Sequence, residues 1–191
     1  MTASSEHLAD PTSEQLSLGP LSDRTFAAVI FDMDGTLIDS TPAVERSWAI
    51  WAAEYDIPLG ELRRAHGIPA AATAHLLVAP HLVDEAIARI DEIELADVDG
   101  VVPLPGAVAA LDALSDPRRA IATSCTRPLL DVRLQVSGIP RPATQVSASD
   151  VERGKPAPDP FLLAARLLGV DPADCLVVED APGGRTGVRA A

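Results

Sequence analysis

Asp32 and Asp34 stand two positions apart in "FDMDGTLIDS" (31–40), directly behind the apolar run "FAAVIF" and directly ahead of Gly35. Acidic side chains in that place need a partner, because an unpaired charge beside a core is costly. Three further stretches have the same form. Thr123-Ser124 follow "RAIA", Glu179-Asp180 follow "CLVV", and Lys155 lies in "GKPAPDP" after a weaker apolar run at 144–149. Lys155 is also the one lysine among fifteen Lys plus Arg residues.

Carboxylates that converge repel one another, so a cation belongs among Asp32, Asp34, Glu179 and Asp180. Oxygen donors suit a hard divalent ion. Mg2+ fits best, since it uses one or two carboxylates, keeps several waters and completes its shell with substrate phosphate. Lys155 and the Thr123 hydroxyl would then take the remaining phosphate oxygens. Gly35 and neighbouring backbone N–H groups would add to the anion pocket.

Convergence depends on the elements that carry these groups. "FAAVIF" (26–31), "RAIATS" (119–124), "TQVSAS" (144–149) and "CLVVED" (175–180) have the continuous apolar pattern of buried parallel strands. Helical segments lie between them. "AVAALDAL" (107–114) follows Pro105-Gly106, and two more helices end at Gly138 and Gly169, placed as C-terminal glycines. Strands alternating with helices predict an α/β fold around a parallel sheet covered on both faces. In such sheets ligands bind at the carboxyl ends of the strands, where every candidate above sits.

Residues 41–103 break the alternation and hold no strand-like run. Thr41-Pro42 predicts a helix start, with Thr41 as N-cap. Val44, Trp48, Trp51 and Tyr55 then share one helical face. A second helix is expected over 83–95, with Val83, Ile87 and Ile90 inward and its acids on a solvated face. The expected organisation is a polar, flexible tail over 1–22, a core from 23–40 and 104–191, and a helical insertion over 41–103.

The whole chain has 191 residues, is 47% hydrophobic and 23% charged, and carries a formal net charge of −13. That excess of acid argues against nucleic acid as a partner, because a basic footprint supplies most of the affinity there. It leaves room for a small anionic substrate at a metal-filled site. Cys125 and Cys175 are too few for a disulfide framework. No apolar run approaches the roughly 20 residues of a membrane helix, and the N-terminus lacks a secretory pattern. A cytoplasmic protein without membrane contact is expected.

The ordered set "DMDGT", Thr123, Lys155 and "ED" resembles the four motifs of the haloacid dehalogenase superfamily, over about residues 25–191. The resemblance implies a Rossmann-like core with an inserted α-helical cap at 41–103. It implies Asp32 as the nucleophile that becomes an aspartyl phosphate, and Asp34 as general acid and base. Asp32, the Asp34 backbone carbonyl and Asp180 would bind Mg2+, with Glu179 as a further ligand or just behind them. Thr123, Ser124 and Lys155 would hold the phosphoryl group.

Asp34 argues against a dehalogenase, whose halide needs no acid, and the assignment of the one lysine argues against a phosphonatase. "STPAVERSWAIWA", "RRAHGIPA" and "DGVVPLPGA" resemble the β-phosphoglucomutase-like branch with its sugar, glycerol-phosphate and 2-deoxyglucose-phosphate phosphatases. On that basis Arg46, Trp48, His66 and Gly67 would line the sugar side. The expected activity is a Mg2+-dependent phosphatase for a small phosphorylated sugar or polyol. The alternatives are a β-phosphoglucomutase-like sugar phosphomutase and a truncated, catalytically silent binding domain of the same family. Family members continue past the fourth motif, so the expectation is either that the sequence is a fragment or that the sheet's last edge strand is absent.

Overall fold

The computed structural model describes residues 24–64 and 70–181. The expected tail, His66, Gly67 and the stretch 182–191 lie outside the described residues.

Among the described residues, four parallel strands form the main sheet: β1 (Ala28–Phe31), β4 (Arg119–Ala122), β5 (Thr144–Val146) and β6 (Cys175–Val178), in the order β5-β4-β1-β6. Each falls within one of the four apolar runs. The register brings Phe31 opposite both Ile121 and Val178. Parallel pairing therefore sets the C-terminal ends of β1, β4 and β6 side by side, with the polar residues one or two positions further on. β1 lies inside the sheet, so its end is flanked on both sides.

Successive residues of a strand face opposite ways, and the core divides accordingly. Phe31 and Ile121 pack with Leu111, Leu129, Leu130 and Leu134, from α5 (Ala107–Asp112) and α6 (Arg127–Ser137). Ile30, Ala120 and Ala122 pack on the other side with Phe161, Ala164 and Ala165 of α7 (Asp159–Leu168). Both α6 and α7 stop at glycines with left-handed backbone, Gly138 (φ 68°) and Gly169 (φ 70°), as their positions in the sequence predict.

The inserted helices are α1 (Thr41–Glu54), α2 (Leu59–Arg64), α3 (Ala70–Leu77) and α4 (Val83–Ala96). They enclose their own apolar cluster around Trp51, Ile57, Ala74, Val83, Ala86 and Ile90. Trp51 is fully buried, and its indole Nε1 donates to the Ala86 carbonyl at 2.8 Å, fastening α1 to α4. These helices join the sheet through a two-stranded antiparallel ribbon, β2 (Ile38–Asp39) with β3 (Val102–Pro103). At two residues per strand the ribbon is too short to leave an alternating pattern, and β3 is a strand inside the stretch where none was expected. The N-cap of α1 is Ser40 rather than Thr41, and the Ser40 hydroxyl is engaged elsewhere, on Asp34. No helix among the described residues is long and apolar enough to cross a membrane.

Candidate active site

Asp32 lies one residue beyond β1, where its N–H donates to the Val178 carbonyl of β6 at 2.9 Å. The residue is buried, 7% exposed. The Lys155 ammonium, also buried, donates to Asp32 Oδ1 at 2.5 Å and to Glu179 Oε2 at 2.7 Å. Asp180 completes the group: oxygens of Asp32, Glu179 and Asp180 lie within 4.8 Å of one another. With all three ionised, the carboxylates facing one ammonium would leave two negative charges in excess. The donors are all oxygen and the excess matches a divalent cation, so these residues fit a hard metal ion. Burial, outweighing the attraction of Lys155, raises the Asp32 pKa to about 7.

Gly35 makes this arrangement possible. Its φ is 81°, and a Cβ built there would lie 2.3 Å from Asp180 Oδ2. Any larger residue at 35 would therefore displace Asp180. The next residue, Thr36, donates its hydroxyl to Asp180 Oδ1 at 3.4 Å.

Thr123, at the end of β4, is buried, and its Oγ1 accepts from the Cys125 N–H at 3.1 Å. That bond leaves the hydroxyl proton available to a ligand. Ser124 beside it is exposed.

Asp34 is held separately from the acid cluster. Its Oδ1 accepts from Ser40 Oγ at 2.7 Å and from Arg133 Nη1 at 2.9 Å, and its Oδ2 accepts from the Cys125 thiol at 3.0 Å. Burial pushes the Cys125 thiol well up, so it keeps its proton and donates. Ser40, Cys125 and Arg133 are contacts that motif reading missed. For Arg133 a signal existed. It falls on the apolar stripe of α6, three and four residues from Leu130 and Leu129, and an arginine on such a stripe needs buried acidic partners. One partner is Glu94 of α4, whose Oε1 lies 3.3 Å from Arg133 Nη2. Glu94 is 8% exposed, which corrects the expectation that the acids of this helix are solvated. Burial raises its pKa, opposed by Arg133.

The described cap residues have other partners. Arg46 makes a bidentate pair with Asp97 at 2.7 Å for both bonds, and adds a bond to the Asp99 carbonyl. Trp48 packs edge-on against Trp51, ring centroids 5.1 Å apart, at the margin of the cap core. Neither is drawn to the acid cluster. The structure thus joins Asp32 and Glu179 through Lys155 and sets Asp180 within 4.8 Å of both acids, with Thr123 and Ser124 at the adjoining strand end.

Residues 26–191 match the family model for haloacid dehalogenase-like hydrolases. The chain belongs to that family. It is 42% identical to hexitol phosphatase A of Escherichia coli over 161 residues, covering 81% of this chain and 74% of the relative. It is 34% identical to glycerol-1-phosphate phosphohydrolase 1 of Saccharomyces cerevisiae over 195 residues, covering 92% of this chain and 75% of the relative. Among solved structures, a hydrolase from Pseudomonas syringae superposes with a TM-score of 0.73 at 27% identity, covering 86% of this chain and 80% of the other. The family's Rossmann-like core and helical cap are the two parts described above.

Proposed function

We propose that the protein is a Mg2+-dependent phosphatase that hydrolyses the phosphate monoester of a small sugar or polyol through an aspartyl phosphate on Asp32. The observation that carries this reading is the buried Asp32–Lys155–Glu179 contact beside Asp180, an anion-rich cluster open to one divalent cation. The two named relatives act on phosphates of open-chain polyols, which supports the substrate class.

In this mechanism Asp32 attacks phosphorus, and the bond to the leaving oxygen breaks as Asp34 gives that oxygen a proton. Asp34 then takes a proton from the water that opens the aspartyl phosphate, releasing inorganic phosphate and restoring Asp32. Lys155, the Thr123 hydroxyl and the Ser124 backbone hold the phosphoryl oxygens. Asp32, the Asp34 backbone carbonyl and Asp180, with Glu179 adjoining, would hold Mg2+, which would supply positive charge opposite the phosphoryl oxygens. Residues 41–103 act as the cap that covers the leaving group, with Arg46, Trp48, His66 and Gly67 as its candidate sugar-side residues. A cap of this kind excludes water and sets substrate choice.

The competing reaction, mutase chemistry, shares Asp32 but returns the phosphoryl group to the sugar. Glucose 1-phosphate supplied with a catalytic amount of glucose 1,6-bisphosphate separates the two. Free phosphate without glucose 6-phosphate supports the proposal, and glucose 6-phosphate without free phosphate contradicts it.

Two outcomes follow for the metal site. Gly35→Ala should raise the Mg2+ concentration needed for half-maximal activity by about tenfold or more, because the new Cβ displaces a ligand and one unit in binding free energy of 1.4 kcal/mol is tenfold. A titration with Mg2+ checks this, and an unchanged requirement would remove Asp180 from the metal's shell.

The second outcome concerns pH. With its pKa raised to about 7 from 3.8, Asp32 keeps its proton in the folded chain where the unfolded chain has lost it. The folded state binds more protons between those values, so the metal-free protein loses stability as pH rises through that window, on the order of 1 kcal/mol per pH unit. Mg2+ binds the ionised form, so its stabilisation should grow toward pH 7. Thermal melts in EDTA and in Mg2+ across pH 5–8 test both slopes.

A further inference from the structure

Arg133 is 3% exposed on the core-facing side of α6. A guanidinium there is desolvated, and apolar residues of similar volume often pack at least as stably as a buried ion pair. What it adds is a link between two carboxylates from separate parts of the molecule. Nη1 reaches Asp34 Oδ1 at 2.9 Å and the Cys125 sulfur at 3.2 Å, while Nη2 reaches Glu94 Oε1 at 3.3 Å. Asp34 belongs to the loop after β1. Glu94 belongs to the last turn of α4, just before the chain returns through the β2–β3 ribbon. The guanidinium fork is planar and rigid, so a shift at one carboxylate is felt at the other. Asp34 is also held by Ser40, the N-cap of α1, where the chain leaves the core for the insertion.

We propose that Arg133 is a positioning residue that sets the Asp34 carboxylate for proton transfer and, through Glu94, makes that setting follow the cap helix α4. The proposal rests on the reading of Asp34 as general acid and base. When α4 moves relative to the core, Glu94 draws on Arg133, and Asp34 gains or loses one of the donors that fix its rotamer.

The test uses the full chain and two substrates that differ in their need for an acid. Glycerol 1-phosphate releases an alkoxide that must be protonated, whereas p-nitrophenyl phosphate releases a stable phenolate. Arg133→Met should lower kcat on glycerol 1-phosphate by about 10²-fold, within the usual worth of acid–base catalysis, and lower it much less on p-nitrophenyl phosphate. Arg133→Lys should recover part of the loss, and Glu94→Gln should show the same substrate bias at smaller size. In an Asp34→Asn background, Arg133→Met should cost little more, since residues acting as one unit are not additive.

Equal losses on both substrates, a full loss retained in the Asp34→Asn background, or no loss at all would overturn the proposal. Should Arg133→Met fail to fold by circular dichroism, Glu94→Gln and Arg133→Lys decide it by the same criteria. Unchanged glycerol 1-phosphate turnover in Asp34→Asn alone would instead mean that the catalytic reading of Asp34 has failed.

Discussion

Phosphate release by Asp32→Asn should fall to the uncatalysed background, a loss of at least about 10⁴-fold, the scale seen when a covalent nucleophile is removed. The amide is nearly the same size as the carboxylate, so packing at this buried position changes little. Its chemistry changes completely. The neutral amide is a poor nucleophile and a weaker metal ligand, and it pairs less well with the Lys155 ammonium 2.5 Å away. Lys155 keeps its second acceptor, Glu179, so the variant retains one acidic partner for the buried cation. A folded, inactive protein is therefore expected. Substantial turnover in Asp32→Asn, measured with enzyme free of wild-type contamination, would rule out the aspartyl phosphate.

Asp34→Asn should slow hydrolysis of a polyol phosphate by about 10²–10⁴-fold, the range for loss of a general acid–base group. The substituted side chain can still accept from Ser40 and Arg133 through its oxygen. It cannot carry a proton to the leaving alkoxide or accept one from water. The loss on p-nitrophenyl phosphate should be smaller, because its leaving group needs no proton. Steady-state kcat on both substrates checks the difference. A loss of the same size on each would shift the role of Asp34 from proton transfer to support of the loop and its metal-binding carbonyl.

How far the sequence could be read depended on what each feature is made of. Buried parallel strands are continuous apolar runs, so β1, β4, β5 and β6 stood out, and their polar ends named Asp32, Thr123, Glu179 and Asp180. The in-line pairing of Phe31 with Ile121 and Val178 explains why those ends meet. The β2–β3 ribbon left no trace because two residues cannot show a period. Of the aromatic face of α1, spacing alone could not separate the fully buried Trp51 from the half-buried Trp48 at its edge.

The contacts of Asp34 were hidden for another reason. Arg133 and Glu94 lie far apart in sequence and on different helices, and each looks like an ordinary surface charge until its helical face is counted. On α4, Glu94 falls at the spacing of Val83, Ile87 and Ile90, so it belongs to the inward stripe. Reading the acids of that helix as solvated overlooked this register. Arg46 illustrates the opposite case. Its place in a cap helix suggests substrate contact, yet its donors go to Asp97 and Asp99, next to the return ribbon. That pairing is half-exposed, so it is worth little in stability.

The most direct test of the account is release of inorganic phosphate from a panel of sugar and polyol phosphates, including hexitol phosphates and glycerol 1-phosphate, with Mg2+ and with EDTA. The account predicts stoichiometric phosphate and free polyol or sugar from at least one member of the panel in Mg2+, and none above background in EDTA. Turnover that persists in EDTA, or a folded protein that binds Mg2+ yet releases phosphate from none of these compounds, would contradict it.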